Sequence, residues 1–150
     1  MTDQDLVKGD SPYPNRLVVK DVPVKAALVF VKGELATFEI ATGMLIKLVG
    51  SRLTGLCQVR NAVTGGASDG DVTVSCNMVG SRIIVSAEAN VHVGDLLIIP
   101  ATGGTGDLLL AAATVDTADK SAGRVFDLYR STVEFTAAGD LVVIDLGISG

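Results

Sequence analysis

The chain has 150 residues, of which 48% are hydrophobic, 4% aromatic and 19% charged, with no Trp and a net charge of −5. That length fits one domain whose core is built from Val, Leu, Ile and Ala, without disulfides or a structural metal. The acidic balance argues against non-specific binding to nucleic acid or anionic membranes, and the thin charge suggests a surface partly covered by partners.

Residues 1–15, "MTDQDLVKGDSPYPN", are polar, with Pro12 and Pro14 bracketing Tyr13, and show no periodic apolar pattern. They are expected to form a flexible N-terminal arm ahead of a single β domain over 16–150, so that removing them should spare the fold. No basic stretch followed by an apolar run opens the chain, which points to synthesis in the cytoplasm rather than secretion. No run reaches about eighteen apolar residues, so no membrane span is expected.

From Arg16 the sequence becomes a series of strand-sized apolar runs: "RLVVKDV", "AALVFV", "ATFEI", "MLIKLV" and "GLCQVR". In "DVTVSCNM", Val72, Val74, Cys76 and Met78 alternate with Thr73, Ser75 and Asn77, the pattern of a half-buried strand. Cys57 and Cys76 are the only cysteines; they could pair only if their strands are neighbours, and otherwise read as two buried thiols.

"RIIVSAE", "DLLIIP" and "DLLLAAAT" follow. The glycine-rich "ATGGTGD" at 101–107 lacks the Lys-Ser/Thr of a phosphate loop and reads as a hairpin connection. "TADKSAGRVFDLYR" reads as a loop or a short helical turn before a strand. Thr117 or Asp119 could cap a helix with Ala118, Ala122 and Val125 on one face, but Gly123 costs such a helix about 1 kcal/mol relative to Ala. "STVEFT" places Val133 and Phe135 inward and Thr132 and Glu134 outward. Leu96 to Ile99 and Leu141 to Ile144 are apolar on both sides, as in a barrel, a sandwich or a subunit interface. The expected class is all-β, a compact β-barrel or Greek-key-like body.

Five triplets share a glycine, acid, aliphatic order, beginning at Gly33, Gly70, Gly94, Gly106 and Gly139. Glycine supplies the positive φ of a turn and the acid can bond nearby backbone, so each triplet reads as entry into a strand. Their spacings of 37, 24, 12 and 33 residues show no fixed period, which argues against a solenoid or propeller.

Catalytic signals are sparse. His92 is the single histidine, no Gly-x-Ser-x-Gly elbow accompanies it, and one His with two distant Cys does not make a tetrahedral zinc site. Scattered lysines and arginines without interleaved aromatics form no platform for nucleic acid. No catalytic, cofactor-binding or metal residue is assigned. An enzyme or ligand-binding β-barrel would have to depend on His92, Asp127 or Arg130.

Three pieces, "ANVHVGDLLI" at 89–98, "TADKSAGRVFDLY" at 117–129 and the closing "AAGDLVVIDLG" at 137–147, give the chain its wider pattern. In their order and style they resemble the small head-decoration, or cement, proteins of tailed bacteriophages; the "VTGGASDGD" stretch at 63–71 is a departure. The resemblance implies a non-enzymatic virion protein, often a trimer, that binds the outside of the capsid and clamps neighbouring major capsid subunits. The arm would then dock through Leu6, Val7, Pro12, Tyr13 and Pro14. A tail-tube or adaptor component of the virion is the alternative structural role.

Overall fold

Short β-branched and leucine-rich runs, broken by glycine turns, become twelve strands among the residues that the computed structural model describes, 6–49, 55–111, 120–129 and 134–147. They are β1 (Val19–Pro23), β2 (Val29–Phe30), β3 (Leu35–Phe38), β4 (Leu45–Lys47), β5 (Cys57–Val59), β6 (Val63–Thr64) and β7 (Thr73–Met78) in a first half. A second half holds β8 (Arg82–Ser86), β9 (Leu96–Ile98), β10 (Leu109–Leu110), β11 (Ser121–Asp127) and β12 (Leu141–Leu146). A 3-10 turn at Pro14–Arg16 precedes them. The all-β expectation holds.

The two halves repeat one design. The first half is a five-stranded antiparallel sheet in the order β1-β7-β5-β3-β4, and the second runs β8-β12-β11-β9-β10, the same order strand for strand. The β2-β6 ribbon belongs to the first half. Each sheet curls until its edges meet at one parallel bridge, Val24 to Leu45 in the first half and Ala87 to Leu108 in the second. Both members of the second bridge lie 63 residues beyond those of the first. Registers agree too: Gln58 faces Asn77 as Arg124 faces Asp145, and Ala36 faces Lys47 as Leu97 faces Leu110.

The glycine-acid triplets are the fixed points of this repeat. At Gly33-Glu34 the Val31 amide donates to the Glu34 carboxylate and the Gly33 amide to Val59; at Gly94-Asp95 the His92 amide donates to Asp95 and the Gly94 amide to Val125. Gly70-Asp71 and Gly139-Asp140 match in the same way, through the amides of Ser68 and Ala137. All four glycines have positive φ, which the missing Cβ permits. The likeness is two-fold and has no fixed period, its triplets matching as Gly33 with Gly94 and Gly70 with Gly139, while the one at Gly106 lies in the 101–107 hairpin, whose counterpart at 39–44 carries no such triplet.

Each half has its own core. Val22, Val24, Ala36, Leu45, Val59, Val74 and Cys76 fill the first, and their counterparts Val85, Ala87, Leu97, Leu108, Val125, Val142 and Ile144 fill the second. Leu35, Leu48 and Leu56 of the first half join the second core, so the halves share a packed boundary. Across it Gln58 Nε2 donates to the Ile84 carbonyl at 2.7 Å and the Leu35 amide to the Gly104 carbonyl at 3.0 Å. A Cβ on Gly104 would stand 1.8 Å from the Leu35 oxygen, so only glycine allows the 101–107 hairpin to approach so closely.

Three expectations change. Residues 121–127 form a strand, not a loop or helical turn, because the β12 backbone passes so near that a Cβ on Gly123 would meet the Asp145 oxygen at 2.2 Å. Phe135 is exposed rather than inward; Thr136 is the buried residue, accepting from the Val91 amide and donating to the Glu88 carbonyl. Asn77 alternates as expected but is buried, since the second half covers that face. Thr132, Val133 and the possible caps Thr117 and Asp119 lie outside the described residues.

Candidate interaction surface

The segment expected as a flexible arm lies against the body from Leu6 onward. Asp10 pairs with Lys32 of the first half at 2.8 Å, while the Ser11 hydroxyl donates to the Arg82 carbonyl of the second at 2.6 Å. Lys8 reaches Ser86 and the Thr105 carbonyl, and the Leu6 amide reaches the Tyr129 hydroxyl. Residues 6–13 thus form a strap over both halves. Sequence reasoning could not find it, because its partners lie far along the chain and polar contacts leave no periodic signal.

The strap ends in an aromatic clamp. Tyr13 meets Phe126 edge-on with centroids 5.3 Å apart, and the Arg82 guanidinium stacks on Phe126 at 3.6 Å from the ring centroid. Asp145 fixes that guanidinium through a 2.7 Å contact with Nε. A cation held between a carboxylate and an aromatic face is worth roughly 1 kcal/mol at such a part-exposed site. Of the five residues assigned to docking, Val7 and Pro14 are exposed, whereas Leu6, Pro12 and Tyr13 are half-buried.

The polar candidates do not converge. His92 is exposed, with Nδ1 3.7 Å from Asp95 and its ring 6.0 Å from that of Phe135. Asp127 is exposed at the end of β11, no hydrogen bond or ion pair joins it to His92, and Arg130 lies outside the described residues. Among the described residues no group of three His, Cys, Asp or Glu side chains could hold a metal ion. Cys57 and Cys76 lie on the neighbouring strands β5 and β7, yet both are free and buried. The Cys76 thiol beside it, together with burial, pushes the Cys57 thiol well above its ordinary pKa.

Eleven large apolar side chains are exposed among the described residues, Ile40 at 78% and Val49 at 75% being the most open. Val18, Val19 and Val79 cluster where β1 begins and β7 ends; Val79 lies against Gly147, and Val18 against Gly80. Of the two apolar runs taken as signs of an interface, Leu141 to Ile144 lies in β12, between β11 and β8, and the chain itself buries most of it. Leu96 and Ile98 of the other run remain half-open.

The architecture is that of an all-β protein made of two like halves. No protein-family model and no curated protein matches the chain.

Proposed function

We propose that the protein is a structural component of a virion, binding the outside of a phage capsid as a closed homo-oligomer, a trimer, and clamping neighbouring major capsid subunits. The observation that carries this reading is the exposed patch of Val18, Val19 and Val79, at the start of β1 and in the turn after β7. Such a patch suits an extended protein partner better than a small polar substrate. The resemblance of the three sequence pieces to head-decoration proteins supplies the kind of partner, and repetition over a lattice makes modest single contacts sufficient.

The docking residues of this reading are Val7 of the strap and Pro14 of the turn that follows it, with Val18 and Val79 of the body. Leu6, Pro12 and Tyr13 serve by holding the strap in place.

The test is to mix purified protein with capsids lacking it and to measure co-sedimentation and heat resistance of the capsids. Binding by the wild type, lost in a folded Val18→Asp, Val79→Asp double variant, supports the reading. Failure of the wild type to bind any capsid defeats it. Extended tubes formed by the protein alone would favour the tail-component role instead.

A further inference from the structure

The repeat shows what should cover the open face of the second half. In the first half, Leu35, Thr37, Leu48 and Gln58 are buried to 2% exposure or less, Gln58 bonding across the boundary to the Ile84 carbonyl. Their register counterparts in the second half are Leu96, Ile98, Ala111 and Arg124, and each is only half-buried. The same surface is thus covered once and half-open once.

The covering surface is also present twice. On the second half it consists of β8, with Ile84 and Ser86 buried, and of the 101–107 hairpin, whose Gly104 carbonyl accepts from Leu35. On the first half the counterparts are β1, with Asp21 exposed and Pro23 half-buried, and the 39–44 hairpin, which holds Ile40 out at 78% exposure. Among the described residues one covering surface is engaged and the other is open.

We propose that a second copy of this chain docks head to tail, laying its β1 face and its 39–44 hairpin on the β9–β11 face of the second half. The contact repeats between molecules the one that already joins the halves within each molecule. It deepens the oligomer of the proposed function by naming its contact, and capsid binding plays no part in its test.

The charges that differ between the halves agree with this arrangement. Arg124 takes the place of Gln58 and holds the Gly94 carbonyl at 3.0 Å, as Gln58 holds that of Gly33 at 3.2 Å. Asp21 takes the place of Ile84, since Asp21 faces Ser75 as Ile84 faces Val143. The amide-to-carbonyl bond of the internal boundary becomes an Arg124–Asp21 ion pair between copies, while Ile40 gains the apolar cover of Leu96 and Ala111. The strap lies over Arg82 and Phe126, the counterparts of the exposed Val19 and the half-buried Arg60, and not over Leu96, Ile98 or Ala111. A heterologous contact of this kind leaves one free face of each type at the two ends of an open chain of copies, so it closes only as a ring.

The experiment is sedimentation of the full chain without capsids, over a range of micromolar concentrations, for the wild type and for Asp21→Arg, Arg124→Asp, their combination and Ile40→Asp. The wild type should associate, each single variant should weaken association at least about tenfold, and the charge-exchanged double variant should recover most of the loss. A wild type that stays monomeric overturns the proposal. Folded Asp21→Arg and Ile40→Asp proteins that assemble like the wild type overturn it equally, as does a folded double variant no stronger than the single ones. If Arg124→Asp fails to fold, the two variants at exposed positions decide the matter alone.

Discussion

Gln58 on β5 donates its side-chain amide to the carbonyl of Ile84 on β8 at 2.7 Å, tying one half of the molecule to the other. The same nitrogen holds Gly33, and the Gln58 oxygen accepts from Asn77 Nδ2 at 3.1 Å, all of it buried. Gln58→Ala would leave the Asn77 amide and the Ile84 carbonyl without these partners in a dry boundary. The expected loss is about 2–4 kcal/mol of stability, read as a lower midpoint in urea. A change below about 0.5 kcal/mol would mean that water replaces the amide there.

Removal of residues 1–15 should weaken the fold rather than spare it. The Asp10–Lys32 pair, the Ser11–Arg82 hydrogen bond and the Tyr13–Phe126 contact would all be lost. A destabilisation of about 1–3 kcal/mol is expected from thermal unfolding of the truncated protein. Equal stability of the two forms would return the segment to the role of a loose arm.

Acid should loosen the strap. Burial works against the charge of Asp10, but the Lys32 ammonium and the Val7 amide outweigh it and hold the carboxyl below its ordinary value of 3.8. A carboxylate depressed in the folded state stabilises the fold above its ordinary pKa, and that contribution is lost as pH falls through the lower folded value. Protection of the amides in residues 6–13, taken against the intrinsic exchange rate at each pH, should therefore fall below about pH 4, the ordinary carboxylate range, and Asp10→Asn should show the weaker protection already at neutral pH. Identical exchange in the variant and the wild type at neutral pH would remove Asp10 from the clasp.

The two thiols should be silent in the native protein. Cys57 and Cys76 are buried and unpaired, and Cys57 is held protonated by its neighbour and by burial. A thiol-specific reagent near pH 8 should label neither residue until denaturant is added, and then both: Cys57 is kept from its reactive thiolate form, and Cys76, whose pKa the Cys57 thiol lowers, is closed to the reagent by complete burial. Labelling of the native protein on the timescale of a free thiol would show that β5 and β7 open locally.

Much of the strand content could be read along the chain, since period-two alternation and glycine turns are local. "DVTVSCNM" became β7 with Val74 and Cys76 inward, and "ATGGTGD" became a hairpin connection. The repeat was present in the sequence too, carried by Gly33-Glu34-Leu35 and Gly94-Asp95-Leu96, but matching triplets lie 61 and 69 residues apart and so escape a search for even spacing.

What the sequence by itself determined is the all-β class and the positions of the turns; these follow from side-chain period and from backbone freedom at glycine. Only the tertiary structure decided which polar residues are buried, where the strap lies and which apolar faces stay open. Gln58 and Arg124 occupy the same register position in like sheets, yet one is buried and the other half-open. The difference is made by residues far away in the chain that cover one sheet and not the other, a physical cause that no local pattern around either residue records.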